Sequence, residues 1–218
     1  MRLSSVAVLL GAVLVFAGGA AAADDPYAAM LAPAGTCGPA DEQSHLDSGT
    51  AQLVMTCLTN YARARSGLKP LQLNATLSTA GNAKLDADVS CGVFSHEPCG
   101  KPFDSVFATY LQGATSFQIG ENIAWGTGSY ASPRQIMLAW LHSAGHRENI
   151  LTAAFTDVGI GYLPNETFLG YAGAALWSQQ FGTRAPGSTT PAGASEPQKP
   201  GVKKKPLPRK KHAKLHQS

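Results

Sequence analysis

The sequence lacks most of the features that announce a function outright. No segment after the N-terminus is apolar over the roughly 20 residues that a membrane-spanning helix needs. There is no C-x-x-C pair of the kind that builds zinc ribbons and redox centres, which weakens a metal role for the cysteines. No serine sits in a G-x-S-x-G elbow, so a hydrolase nucleophile has no sequence support. No internal repeat is evident. The basic C-terminal run has no interleaved aromatics to stack on bases, and nucleic acid is therefore not an expected partner.

What is present begins with "MRLSSVAVLLGAVLVFAGGAAAA", a short basic start, an apolar core from Val6 to Phe16 and a string of small residues. This layout predicts a signal peptide over residues 1–23, cleaved after Ala23, and a secreted, soluble mature chain without a transmembrane segment. Export implies an oxidising compartment, and the four cysteines then predict two disulfides. Three pairings are open; spacing favours Cys91 with Cys99, which leaves Cys37 to tie the N-terminal segment to Cys57. The formal charge of +3 hides an asymmetry. From Pro186 onward seven lysines and one arginine face Glu196 alone, a balance of +7, so residues 1–185 carry −4.

Residues 24–49 are rich in Ala, Pro, Gly and acids and read as an irregular lead-in. In "TAQLVMTCLTNYARARSG" the apolar positions Leu53, Val54, Cys57, Leu58, Tyr61 and Ala62 recur at helical spacing up to the stop at Gly67. A second helix is predicted from about Ala75 to Val89, with Leu77, Ala80, Ala83 and Ala87 as a stripe of mostly small residues for close packing. A third covers Phe103 to Leu111, and a fourth starts at Pro133 and runs through Trp140. "TDVGIGYLP" and "FLGYAGAALWSQQFG", separated by the turn-like "PNET", read as an antiparallel strand pair. Helices first and strands last predict an α+β domain over residues 50–182. The remainder, 183–218, is Pro- and Lys-rich and is predicted to be a disordered basic tail.

Three polar stretches stand out from the apolar background: "GVFSHEPCG", "QIGENIAWG" and "SAGHRENIL". Each is expected to lie on a loop or helix edge facing a cleft. Together with "NYARARSGLKPLQLN", "FTDVGIGY" and "LWSQQFG", in that order, they resemble the bacterial secreted branch of the CAP superfamily, also called SCP/PR1-like. The resemblance implies a three-layer α-β-α sandwich with an antiparallel central sheet and a large surface cleft. It further implies a tetrad of two histidines and two acids that binds divalent metal in some members. The matching positions are His96, Glu121 and His146, while the fourth acid falls on Ser143.

That set leaves three roles open: holding the cleft's shape, holding a ligand or a metal, or catalysis. His96, His146 and Glu121 are a sensible donor set for Zn²⁺ or a similar divalent ion, with Glu121 as ligand or as orienter of a histidine. As a shape-holding network, Glu121 and Asn122 would bond the histidines and loop amides. Arg147, Glu148 and His142 are assigned to joining and capping helices. The expected cleft residues are thus His96, Glu121, Asn122, Ser143 and His146. The expected occupant is a small apolar, lipid or polysaccharide ligand, and "KKKPLPRKK" is expected to bind an anionic envelope surface. A metal-dependent hydrolase acting on envelope material is the alternative.

Overall fold

A computed structural model describes residues 25–186. The expected signal peptide, residues 1–23, and the part of the expected basic tail beyond Pro186 lie outside the described residues. Nine regular elements follow the lead-in: α1 (Ser48–Arg65), β1 (Gln72–Leu73), α2 (Ala75–Cys91), α3 (Ala108–Leu111), β2 (Ala114–Thr127), α4 (Pro133–His142), α5 (Ala144–Leu151), β3 (Asp157–Phe168) and β4 (Tyr171–Pro186). No described helix is long and apolar enough to cross a membrane.

Strands β2, β3 and β4 form an antiparallel sheet in the order β1-β3-β4-β2, with β1 adding a two-residue parallel edge to β3. Strand alternation then sorts the side chains into two layers. Val158, Ile160 and Tyr162 of β3 and Ala175, Trp177 and Phe181 of β4 pack with Met55, Leu58, Met137 and Trp140 from α1 and α4. The opposite face packs on α2, where Leu85 meets Phe168, Ala174 and Leu176. The result is an α-β-α sandwich. Burying side chains of this size stabilises a fold by about 2 kcal/mol each, and both buried indoles keep their N–H bonded, Trp177 to Ala131 O at 3.0 Å and Trp140 to Ile123 O at 3.3 Å.

The close approach of α2 to the sheet falls on Gly81 rather than on the expected stripe, in which Ala83 is exposed and Ala87 half-buried. Gly81 faces Gly161 across the layer boundary, and a Cβ on Gly81 would come within 2.6 Å of Ser178 Oγ. Backbone therefore approaches backbone, and α2 sits close on the sheet.

Both disulfides form, Cys37–Cys57 and Cys91–Cys99. The first anchors the lead-in, residues 25–47, to α1. The second closes the loop after α2, which leaves its helix at Gly92 in the left-handed conformation. Closing loops of these lengths is worth about 3 kcal/mol each in chain entropy.

Several boundaries differ from expectation. α1 begins at Ser48, where the Asp47 side chain accepts from Thr50 N at 2.9 Å. The expected third helix is split: Phe103–Phe107 winds as a 3₁₀ segment before the single turn of α3. "PNET" is not the hairpin turn. It is an irregularity within β3, with Asn165 at φ 60, and the turn is Leu169–Gly170, both at positive φ as a two-residue type I′ loop requires. β4 continues past Gly182 to Pro186. The largest miss is β2. "QIGENIAWG" reads as loop because Gly120 and Gly126 interrupt its apolar alternation, yet both glycines are demanded by packing. A side chain at Gly120 would strike Phe155, and one at Gly126 would strike the Tyr130 backbone.

Candidate functional site

The site grows from one alternation on β2. Adjacent residues on a strand face opposite ways, so Glu121 points to the α2 layer and Asn122 to the α1/α5 layer. Glu121 pairs in register with Gln180, and Asn122 with Gln179.

On the α2 side, the buried Glu121 carboxylate is engaged at both oxygens. Oε1 accepts from His96 Nδ1 at 2.6 Å, and Oε2 accepts from Gln180 Nε2 at 2.7 Å. The Lys84 ammonium lies 3.5 Å from Oε1. Burying an ionised carboxylate costs several kcal/mol unless it is paired, and these three partners offset that cost. His96 itself is half exposed, so its ring bridges the interior and the surface.

Lys84 and Asp88 are the residues that sequence reasoning missed. Their spacing carried the signal: Leu77, Gly81, Lys84, Leu85 and Asp88 are all buried and share one helical face. Two charged residues in the buried phase of a small-residue helix mark something other than packing. Lys84 is 1% exposed and Asp88 0%. Asp88 Oδ1 accepts from Ser95 N at 3.3 Å, which steadies the loop carrying His96. Desolvation pushes the Asp88 pKa up to about 6, against the pull of Lys84. Burial lowers the Lys84 pKa, opposed by Glu121 and Asp88. Among the described residues, Lys84 Nζ, Asp88 Oδ2 and Gln180 Oε1 have no hydrogen-bond partner.

On the other side the network is closed. Asn122 Nδ2 donates to His146 O at 3.1 Å and to Gln179 Oε1 at 2.9 Å, while its Oδ1 accepts from Asn149 Nδ2 at 2.9 Å. Gln179 Nε2 donates to Thr59 Oγ1 at 2.7 Å, which ties α1, β4, β2 and α5 together. His146 joins this network through its backbone carbonyl, and its ring lies near enough to His96 to feel that residue's charge. Desolvation, with a smaller push from His96, lowers the His146 pKa to about 4, so the ring is neutral at physiological pH.

In "WLHSAGHRENI", Ser143 is the residue between α4 and α5, with extended backbone and no side-chain cap bond. α5 starts at Ala144, directly after the Ser143 break. Glu148 therefore lies within α5, away from its positive end. His142 Nε2 contacts Asp25 Oδ2 at 2.9 Å, and Arg147 stacks on Tyr27 at 4.0 Å from the ring centroid. Both fasten the lead-in to the helix junction.

A cavity of about 570 Å³ opens between α2 and the segment from Pro98 to Thr109. Of the five expected cleft residues His96 lines it. Glu121 stands behind the wall, reached through His96 and Lys84, while Asn122, Ser143 and His146 are not part of the lining.

The sequence model of the cysteine-rich secretory protein family, CAP, matches residues 57–181. The chain belongs to the CAP family. Within it, the CAP chain is 37% identical over 126 residues to an uncharacterized Bacillus subtilis protein, YkwD, covering 57% of this chain and 44% of that one. Among solved structures it is similar to an outer surface protein from Borrelia burgdorferi, with TM-score 0.54 and 17% identity over 64% of this chain and 97% of that one. It is also similar to an extracellular SCP-domain protein from Bacillus anthracis, with TM-score 0.48 and 22% identity over 63% of this chain and 44% of that one. The CAP chain spans less than half the length of the curated relatives it matches.

The metal that the family implies can be tested against the donor set. Glu121 does not fit as a direct ligand, because both its oxygens are taken inside the protein and an ammonium stands beside one of them. Among the described residues no group of three or more His, Cys, Asp or Glu side chains is placed to hold a metal ion. The set does not fit a three-ligand zinc centre, where three or four protein donors are the rule. Two imidazoles, His96 and His146, are what is left.

Proposed function

We propose that this protein is a secreted ligand-binding module of the bacterial envelope or its surroundings, and that its ligand occupies the cavity beside α2. The observation that carries this reading is the cavity's construction. Its volume falls within the 300–1,000 Å³ of small-molecule sites, and a rigid, closely packed helix supplies one wall. Behind that wall lies a buried polar cluster whose partners are incomplete. The same cluster disfavours hydrolysis, because the carboxylate that would serve as general base is already bonded at both oxygens.

The test is native mass spectrometry of wild type and Ala83→Trp after incubation with small molecules released from isolated envelopes. Ala83 lines the cavity mouth and is exposed, so the indole blocks the space without disturbing the core. Wild type should carry added mass that Ala83→Trp lacks. Release of a cleaved product by wild type, abolished in His96→Ala, would replace binding with hydrolysis.

Export follows from the N-terminal 23 residues, and the +7 tail anchors the protein by salt-sensitive attraction to anionic wall polymer or lipid headgroups. Full-length protein should leave isolated envelopes at moderate salt. A chain ending at Pro186 should not bind them at all, and tail-independent binding would overturn this part.

A further inference from the structure

We infer that the ligand of the cavity beside α2 is a carbohydrate, a short polyhydroxylated chain whose hydroxyls bond Thr76, Thr79, Ser105 and Thr109 while one of its rings lies on Phe103. The inference rests on the cavity being a ligand site and adds the chemical class of the ligand. The buried Lys84 ammonium, paired with Glu121, takes no part in it.

Three independent observations converge. The first is what the walls offer. Thr76 and Thr79 stand one helical turn apart near the start of α2, and Ser105 and Thr109 lie on the opposite wall. All four are exposed. A hydroxyl both donates and accepts, as does every hydroxyl of a sugar, so the two sets are complementary without any charge. Thr79 Oγ1 donates to Ala75 O at 3.1 Å and keeps its lone pairs for a donor from the ligand.

The second is what the walls lack. Among the described residues no Leu, Ile or Met lines the cavity, and Val106 is the one aliphatic side chain there larger than alanine or proline. A hydrocarbon tail is held in proportion to the apolar area that closes over it, and alanine methyls set between hydroxyls offer little. No aspartate or glutamate lines the cavity either, so nothing there calls for a cationic ligand.

The third is a fixed ring beside an acceptor. Phe103 lines the cavity half-buried, set by a T-shaped contact with His96 at 6.4 Å and by Phe107 at 5.6 Å between ring centroids. The electron-rich face of such a ring attracts the polarised C–H bonds of a pyranose. A carboxylate only accepts, so His96 Nδ1 carries the hydrogen that it gives to Glu121. The neutral ring then presents Nε2 as an acceptor, which is what a sugar O–H requires. The Cys91–Cys99 disulfide closes the loop that holds this ring in place.

The experiment is amide NMR of the protein titrated with three disaccharides, N,N′-diacetylchitobiose, cellobiose and maltose, and with octanol as the hydrocarbon control. At least one disaccharide should shift the signals of Thr76, Thr79 and Ser105, and octanol should leave them in place. The double variant Thr76→Val, Thr109→Val changes two exposed residues and keeps the fold, and it should bind that disaccharide about tenfold more weakly. Phe103→Ala should weaken it at least as much, and Ala83→Trp should abolish it. Octanol shifting those signals while no disaccharide does would overturn the carbohydrate and leave the ligand cavity standing. Undiminished disaccharide binding by the double valine variant would have the same meaning. No binding of any probe would overturn this inference and leave the cavity to be judged by the envelope extract. Disaccharide binding untouched by Ala83→Trp would overturn the inference and count against the cavity as well.

Discussion

Two buried cations, one on each side of the sheet, make an instructive pair. Arg63 on α1 is 1% exposed and satisfied on all sides: Nε donates to Lys69 O at 2.9 Å, Nη1 to Ile150 O and Thr152 O at 2.8 and 3.0 Å, and Nη2 to Phe155 O at 3.5 Å. Lys84 on α2 is equally buried and has no hydrogen bond among the described residues. Burial lowers both pKa values, but the two residues are used differently. Arg63 fixes the end of α5 to α1 and is structure. Lys84 pairs with Glu121 behind the wall of a cavity. The polar residues next to each repeat the contrast: the Asn122–Gln179–Thr59 network is closed, and the Glu121–Lys84–Asp88 cluster is open. Complete satisfaction marks scaffold, and incomplete satisfaction next to space marks the working face.

The largest effect should come from breaking the closed side. Arg63→Met removes a donor from each of four carbonyls and should lower stability by about 3–5 kcal/mol in urea unfolding, whereas Lys84→Met should cost less, about 2 kcal/mol, because His96 and Gln180 still bond both Glu121 oxygens. Equal losses would erase the distinction between the two cations.

A second test sharpens the comparison through pH. The His146 pKa is lowered in the fold to about 4, so the unfolded chain binds the extra proton between about pH 6.5 and 4. Its contribution is complete above pH 6.5 and is lost as pH falls through that window. Asp88 runs the other way. Its pKa is raised to about 6, so the folded chain holds the extra proton, and its contribution is complete below about pH 3.8 and lost as pH rises through 6. Thermal melts of His146→Gln should therefore gain stability relative to wild type on acidification from about pH 6.5 to 4, while Asp88→Asn should lose it. The reverse pattern would contradict the burial assigned to both.

The sequence made the helices legible because α1, α2 and α4 carry their periodicity openly. It made β3 and β4 legible because their apolar runs are long. β2 was hidden by Gly120 and Gly126, whose purpose lies in contacts with Phe155 and Tyr130 that no local pattern encodes. Of the candidate site, His96 and Glu121 were readable as motif residues and do meet at 2.6 Å. Lys84 and Asp88 were not singled out, because a charged residue on a helix is ordinarily read as exposed and only the phase of the neighbouring Leu77 and Leu85 betrays it. Asn122 and His146 were expected in the cleft, but neither lines the cavity beside α2. Alternation along β2 turns Asn122 away from Glu121, and the same Asn122 holds the α5 turn through the His146 carbonyl.

Smaller effects should follow at the rim. The double variant Cys91→Ser, Cys99→Ser should still fold, losing about 2–3 kcal/mol, with faster hydrogen exchange from Phe94 to Glu97 as the loop carrying His96 loosens. Unchanged exchange would mean that Asp88 and Ser95 alone hold the loop. The smallest response should be to metal: Zn²⁺ calorimetry should give equal, weak heats for wild type and His146→Ala, and a chelator should leave the melting temperature in place. A large, His146-dependent heat would restore the metal reading.

The most direct measurement is a crystal structure of the protein soaked with the small molecules released from isolated envelopes. The account predicts a bound molecule in the cavity beside α2, between Ala83 and the wall that carries Phe103 and Val106. A molecule bound elsewhere, with that cavity left empty, would contradict it.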